Sequence, residues 1–82
     1  MTRSDIAKWC DDHVFMKRKH EDISDNGTHY VEFENGDSYK LIQKGKTLSD
    51  HVTETYINGK LVNVSSWHYT NFHYDLVSET TF

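Results

Sequence analysis

Proline is absent from the 82 residues. No repeat, low-complexity run or proline-rich linker divides them, so residues 1–82 read as a single domain. Cysteine is nearly absent. The lone Cys10 cannot close an intramolecular disulfide, which excludes a disulfide-stapled secreted module and fits a cytoplasmic location. There is no apolar run long enough for a signal-peptide core or a membrane span, and Met1-Thr2-Arg3-Ser4-Asp5 reads as a mature N-terminus, so no membrane partner is expected. Basic residues are outnumbered, nine against thirteen acidic, for a net charge of −4. That lacks the basic excess by which a general nucleic-acid binder neutralises phosphates. The cations cluster at Lys17-Arg18-Lys19 and Lys40 to Lys46, and none follows Lys60, leaving the C-terminal third acidic and aromatic.

Leucine and isoleucine are also few. A domain this short buries only about 60 to 65% of the surface its unfolded chain exposes, so large aromatics must supply much of the core. Trp9, Phe15, Tyr30, Phe33, Tyr39, Tyr56, Trp67, Tyr69, Phe72 and Tyr74 are the candidates. Not all of them fit inside, and the surplus is the first functional signal.

The strongest local pattern runs from Thr28 to Ser66, where Asn35-Gly36 and Asn58-Gly59 are each flanked by β-branched and aromatic residues. Both residue types tolerate the positive φ of tight hairpin turns, so two hairpins in tandem are expected. In the first, a two-residue loop would pair Phe33 with Ser38 and Val31 with Lys40. A three-residue loop, Glu34-Asn35-Gly36 with Gly36 left-handed, pairs Phe33 with Asp37, Val31 with Tyr39 and His29 with Leu41, and makes the better apolar face. At the second turn, a two-residue loop joins Tyr56 to Leu61 and a three-residue loop joins Val52 to Val64; the pattern leaves both open. Lys44 to Asp50 reads as an exposed connection between the hairpins.

Upstream, Ile6, Trp9, Cys10, His13 and Val14 fall on one helical face, giving an amphipathic helix from Thr2 to about Lys17 with Thr2 or Ser4 as N-cap and Lys17 to His20 at its C-terminus. A short strand over Val14 to Lys19 is the competing reading. Glu21 to Gly27, ending in a third Asn-Gly, reads as a surface loop. After Val64, Phe72, Tyr74 and Leu76 alternate as a fifth strand, and Ser78 to Phe82 should fray unless Phe82 docks. The expected architecture is α+β: one N-terminal amphipathic helix packed on an antiparallel β-meander of four or five strands.

Six histidines invite a metal reading, with His68-x4-His73-x-Asp75 and Cys10-x2-His13 as the closest groupings. Neither matches a four-ligand template, and His68 and His73 converge only if the strand bends between them. Cys10 with His13 and Asp11 or Asp12 resembles a nucleophile with base and orienter, but it lies on the stripe that should face the sheet. Glu32 and Glu34, or Asp11 and Asp12, identify no acid-base site without a further partner. No enzyme activity, metal or cofactor is expected.

The segment Trp67 to Tyr74 carries the functional expectation. Its aromatics either complete the core at a sheet edge or form an exposed Tyr, Trp and His patch of the kind enriched at protein-protein contacts. On the second reading the binding residues are Tyr56, Trp67, His68, Tyr69, Phe72, His73, Tyr74 and Asp75. The expected function is a small protein-binding module that sterically blocks a larger host protein or nucleoprotein complex. By compositional analogy, phage- and plasmid-borne inhibitors have this form. The alternative is a single-stranded nucleic-acid-binding module that stacks bases on the sheet aromatics, with the Lys40 to Lys46 cations tracking phosphates. Homodimerisation through an exposed sheet edge is also open.

Overall fold

The computed structural model describes residues 1–25, 27–45 and 50–82. One helix, α1 (Arg3–His13), precedes six strands: β1 (Arg18–Ile23), β2 (Thr28–Phe33), β3 (Ser38–Lys44), β4 (Asp50–Ile57), β5 (Lys60–Thr70) and β6 (His73–Thr81). The strands form one antiparallel sheet in the order β1-β2-β3-β4-β5-β6. The class is α+β, but the meander has six strands rather than four or five. Among the described residues no helix is long and apolar enough to cross a membrane.

Helix α1 starts where its capping chemistry places it. The Thr2 hydroxyl accepts from the Asp5 N–H at 3.1 Å, and the Asp5 carboxylate accepts from the Thr2 N–H at 2.9 Å, so two orphan donors of the first turn are satisfied reciprocally. The backbone and hydroxyl hydrogen bonds with Thr2 hold the Asp5 carboxyl below its usual range. The other end corrects the expectation of a helix reaching Lys17. The apolar stripe runs out at His13, Val14 is exposed, and Phe15 is 97% exposed. With no buried face left to gain, the chain leaves the helix and Arg18–Ile23 pairs with β2. Arg18 and Lys19 of the basic cluster and Glu21 to Ile23 are therefore strand, not a helix C-terminus and a loop. All six β1 residues are exposed, so backbone pairing with β2 holds them rather than an apolar face.

The first hairpin takes the three-residue form. The Phe33 N–H donates to the Asp37 carbonyl at 2.8 Å, the Gly36 N–H donates to the Phe33 carbonyl at 3.0 Å, and Gly36 has φ +92°. Val31 pairs with Tyr39 and His29 with Leu41. The second hairpin turns on two residues, Asn58 (φ +53°) and Gly59 (φ +80°), joining Tyr56 to Leu61. A bulge one step below then sets Thr55 opposite Asn63 and Val52 opposite Ser66, which excludes the Val52–Val64 register. Asn26 of the third Asn-Gly, and residues Lys46 to Ser49 of the connection between hairpins, lie outside the described residues. The C-terminal segment does not fray: β6 continues to Thr81, and the Phe82 N–H donates to the Val62 carbonyl at 3.0 Å.

Helix α1 crosses one face of the sheet at the end that carries the Glu34–Gly36 and Asn58-Gly59 turns. Near its start Arg3 Nε is 3.6 Å from Glu79 Oε1 on β6; near its end Trp9 packs edge-on against Phe33 and parallel to Tyr39, with centroids 5.9 and 6.1 Å apart. Beneath it Val31, Phe33, Ile57 and Val62 are buried. Burying a side chain of this size stabilises by about 1.5–3 kcal/mol, so this cluster anchors the fold. The buried polar neighbours are satisfied: the Asn63 amide donates to the Thr81 hydroxyl at 3.1 Å, and the Trp67 indole donates to the Ser65 hydroxyl at 2.9 Å. Among the described residues no buried side-chain nitrogen or oxygen lacks a partner.

Candidate functional site: an aromatic end of the sheet

The contacts of α1 fall at one end of its face, and the other end of that face carries a row of rings. Cross-strand partners share a face, so the register states which side chains meet there. His51 opposes Trp67, Trp67 opposes Leu76, and Tyr69 opposes Tyr74. Their rings touch in sequence: His51 lies parallel to Trp67 at 6.3 Å and edge-on to Tyr74 at 4.6 Å, and Tyr74 tilts against Tyr69 at 5.1 Å. Tyr69 and Tyr74 remain 40% and 44% exposed. A cavity of about 560 Å³ beside His51 and Trp67 draws Lys44, Asp50, Val52 and Ser66 of its lining from the opposite face of the sheet.

At the tip of the β5–β6 hairpin, Asn71 and Phe72 form the two-residue turn, with φ +50° and +66°. Asparagine tolerates that conformation; phenylalanine does so at a cost of about 1–2 kcal/mol. The Phe72 ring gains nothing in return from packing, since the residue is 95% exposed. A strained and unpacked aromatic at a hairpin tip is an observation from which function is a legitimate inference.

The other expected site residues lie on the opposite face. Tyr56 carries the Lys40 ammonium 4.6 Å from its ring centroid, and its hydroxyl donates to Glu54 at 3.4 Å. Glu54 also pairs with Lys44 at 2.8 Å, which lowers the Glu54 pKa and raises that of Lys44 through their shared hydrogen bond and charge. His68 Nδ1 is 2.5 Å from Asp50, and His73 Nε2 is 2.9 Å from Asp75. Of the eight expected residues, the structure therefore gathers Trp67, Tyr69 and Tyr74 on one face and sets Phe72 at its rim. Tyr56, His68, His73 and Asp75 lie behind them. The arrangement expected for a strand of nucleic acid is divided as well: Lys40 and Lys44 lie on the face opposite the rings, and Lys46 lies outside the described residues.

His51 and Leu76 are members of the patch that sequence reasoning missed. The signal for them was positional, since each is fixed by pairing with Trp67, and neither register is written in the residues themselves.

The groupings that suggested reactive chemistry resolve into structural contacts. The turn at Asn71-Phe72 supplies the bend that His68 and His73 required, yet each histidine engages its own carboxylate. Among the described residues no group of three or more His, Cys, Asp or Glu is placed to hold a metal ion. Cys10 is half-buried; burial, with the nearby Asp11 charge, pushes its thiol pKa up and so disfavours the thiolate. His13 directs its two ring nitrogens to the Trp9 carbonyl and to Asp37, on the far side of the helix–sheet contact. No protein-family model, curated protein or solved structure matches this chain.

Proposed function

We propose that the protein is a small binding module that docks another protein through the aromatic end of its helix-bearing sheet face. The patch consists of His51, Trp67, Tyr69, Tyr74 and Leu76, with Phe72 projecting at its rim. The observation that carries this reading is the exposed ring row: away from the end of the face that meets α1, the aromatics touch one another and stay 40 to 44% exposed at Tyr69 and Tyr74. Tyrosine and tryptophan give large contact area at low entropic cost, which suits a recognition surface. The module acts by occupying a surface on a larger host protein or complex, and so by steric block. The nucleic-acid alternative is the weaker reading because Lys40 and Lys44 lie behind the rings and are already engaged by Tyr56 and Glu54.

Affinity capture from host lysate with the wild type and with the Tyr69→Ser/Tyr74→Ser double variant tests the proposal. A stoichiometric partner held by the wild type and lost by a folded double variant supports it. Equal recovery by both proteins, or no stoichiometric partner, counts against it. Fluorescence anisotropy with labelled single strands at low salt separates the alternative, which requires binding that weakens steeply as salt rises.

A further inference from the structure

We propose that His13 is a pH-sensitive latch, an imidazolium that donates from both ring nitrogens to hold the last turn of α1 against the β2–β3 turn and lets go when it loses a proton. Nδ1 lies 2.6 Å from the Trp9 carbonyl oxygen, and Nε2 lies 2.8 Å from Asp37 Oδ2. A carbonyl oxygen only accepts hydrogen bonds, and so does an ionised carboxylate. A neutral imidazole has one donor, so either tautomer would turn a ring lone pair toward an oxygen lone pair at hydrogen-bonding distance. Only the cation satisfies both contacts.

The surroundings favour that cation. Asp37 is held in its ionised form: hydrogen bonds from His13, from the Asn35 amide at 2.9 Å and from the Asn58 amide at 3.3 Å push its pKa below the usual carboxylate range. The ring is stacked on Trp9 with centroids 3.8 Å apart and tilted against Phe33 at 4.8 Å, so two aromatic faces border the positive charge. Asp12 adds negative charge from the same helix, and the last turn presents the negative end of the helix dipole. The groups that reach the ring are thus the Trp9 carbonyl and Asp12 from α1, Phe33 from β2, and Asp37 from the turn before β3. Asn58, from the β4–β5 turn, meets the same carboxylate. With the residue only 8% exposed, burial pulls the His13 pKa down; the hydrogen bonds with Asp37 and Trp9 and the two carboxylate charges outweigh it and set the net direction upward.

The direction fixes the sign of the pH effect. A histidine whose pKa is higher folded than unfolded contributes stability that is complete below its ordinary value of 6.5 and is lost as pH rises through the folded value. Asp37 shifts the opposite way, so its contribution disappears only as pH falls through its own lowered value. Between those limits the latch is closed. Above them α1 keeps Trp9 on the sheet but loses the charged tie at its C-terminal end.

Two measurements on the intact protein test this. Nitrogen-15 NMR of the imidazole rings at about pH 6.5 should show both His13 nitrogens protonated, with a titration midpoint above 6.5 that falls in Asp37→Asn. A single neutral tautomer at that pH, or a midpoint at or below 6.5, overturns the proposal. Thermal melting of the wild type and His13→Gln should then show a stability gap that shrinks by several degrees between about pH 6 and pH 9. A gap that stays constant overturns it too. The NMR result decides the question if the glutamine variant does not fold.

Discussion

Replacing Gly36 with alanine isolates the backbone strain on which the first hairpin depends. A β-carbon built on Gly36 meets nothing within 4 Å, so the substitution adds no steric overlap with the rest of the protein. What remains is the torsion. Gly36 sits at φ +92°, where an L-residue costs about 1–2 kcal/mol. Alanine also reduces the freedom of the unfolded chain, which offsets about 0.4–1 kcal/mol of that loss. The net expectation is a destabilisation of about 1 kcal/mol, or a melting temperature lowered by about 4–8 °C for a domain of this size. Gly36→Asn should recover part of the loss, because asparagine enters the left-handed region more readily. Thermal and urea unfolding of the three proteins would measure this. An alanine variant within about 0.5 kcal/mol of wild type, or an asparagine variant at least as damaging as alanine, would refute the assignment of strain to this residue. The prediction reaches beyond the turn, since Asn35 binds both the backbone and the carboxylate of Asp37, and Asp37 receives His13.

Two further substitutions probe other elements. Phe72→Gly converts the β5–β6 turn to Asn-Gly; relieving the left-handed phenylalanine, less the greater unfolded-state freedom of glycine, should stabilise the protein by up to about 1 kcal/mol in denaturant unfolding. Destabilisation would mean that the ring is packed, and a more stable variant that loses a captured partner would mark Phe72 as retained for binding. Thr2→Ala removes the hydroxyl that accepts the Asp5 N–H and should cost about 1 kcal/mol, whereas Thr2→Ser should be close to neutral. Equal stability of all three proteins in thermal unfolding would show that the cap contributes nothing to the fold.

The parts of the fold that were legible are those where local chemistry and burial agree. Gly36 needs a positive φ, and only the three-residue loop sets Val31 beside Tyr39, so turn and register could be deduced together. The stripe Ile6, Trp9, Cys10 and His13 placed the helix, with Trp9 against the sheet. β1 was illegible for the complementary reason. Arg18 to Ile23 buries nothing, so no alternation marks it, and its charges read equally well as the end of a helix. Those charges have a use that only the sheet reveals: at an outer strand they discourage further pairing, and Arg18 with His29 engages Glu21. Ser78 to Thr81 was misjudged similarly, because a polar outer strand is held by its backbone rather than by its side chains.

The candidate site turned on a question of parity. Read as one continuous strand, Trp67 and Tyr69 would face one side and Phe72 and Tyr74 the other, so half the rings would be core and half exposed. A two-residue turn at Asn71-Phe72 changes the result: cross-strand partners then sum to an odd number, as Tyr69 and Tyr74 do, and odd residues of β5 share a face with even residues of β6. The bulge between Ser66 and Trp67 shifts the count beyond Leu76, so that Glu79 comes opposite Ser65 on the helix-bearing face and meets Arg3. Trp67, Tyr69, Tyr74 and Leu76 thereby gather on one face instead of dividing between two. The sequence conceals this turn because its second residue is a phenylalanine, which pays a backbone cost that glycine would avoid. The residue that hides the hairpin is thus also the most exposed ring on its rim, and the same strain argument that makes it hard to read makes it the first position at which binding and stability should be separated.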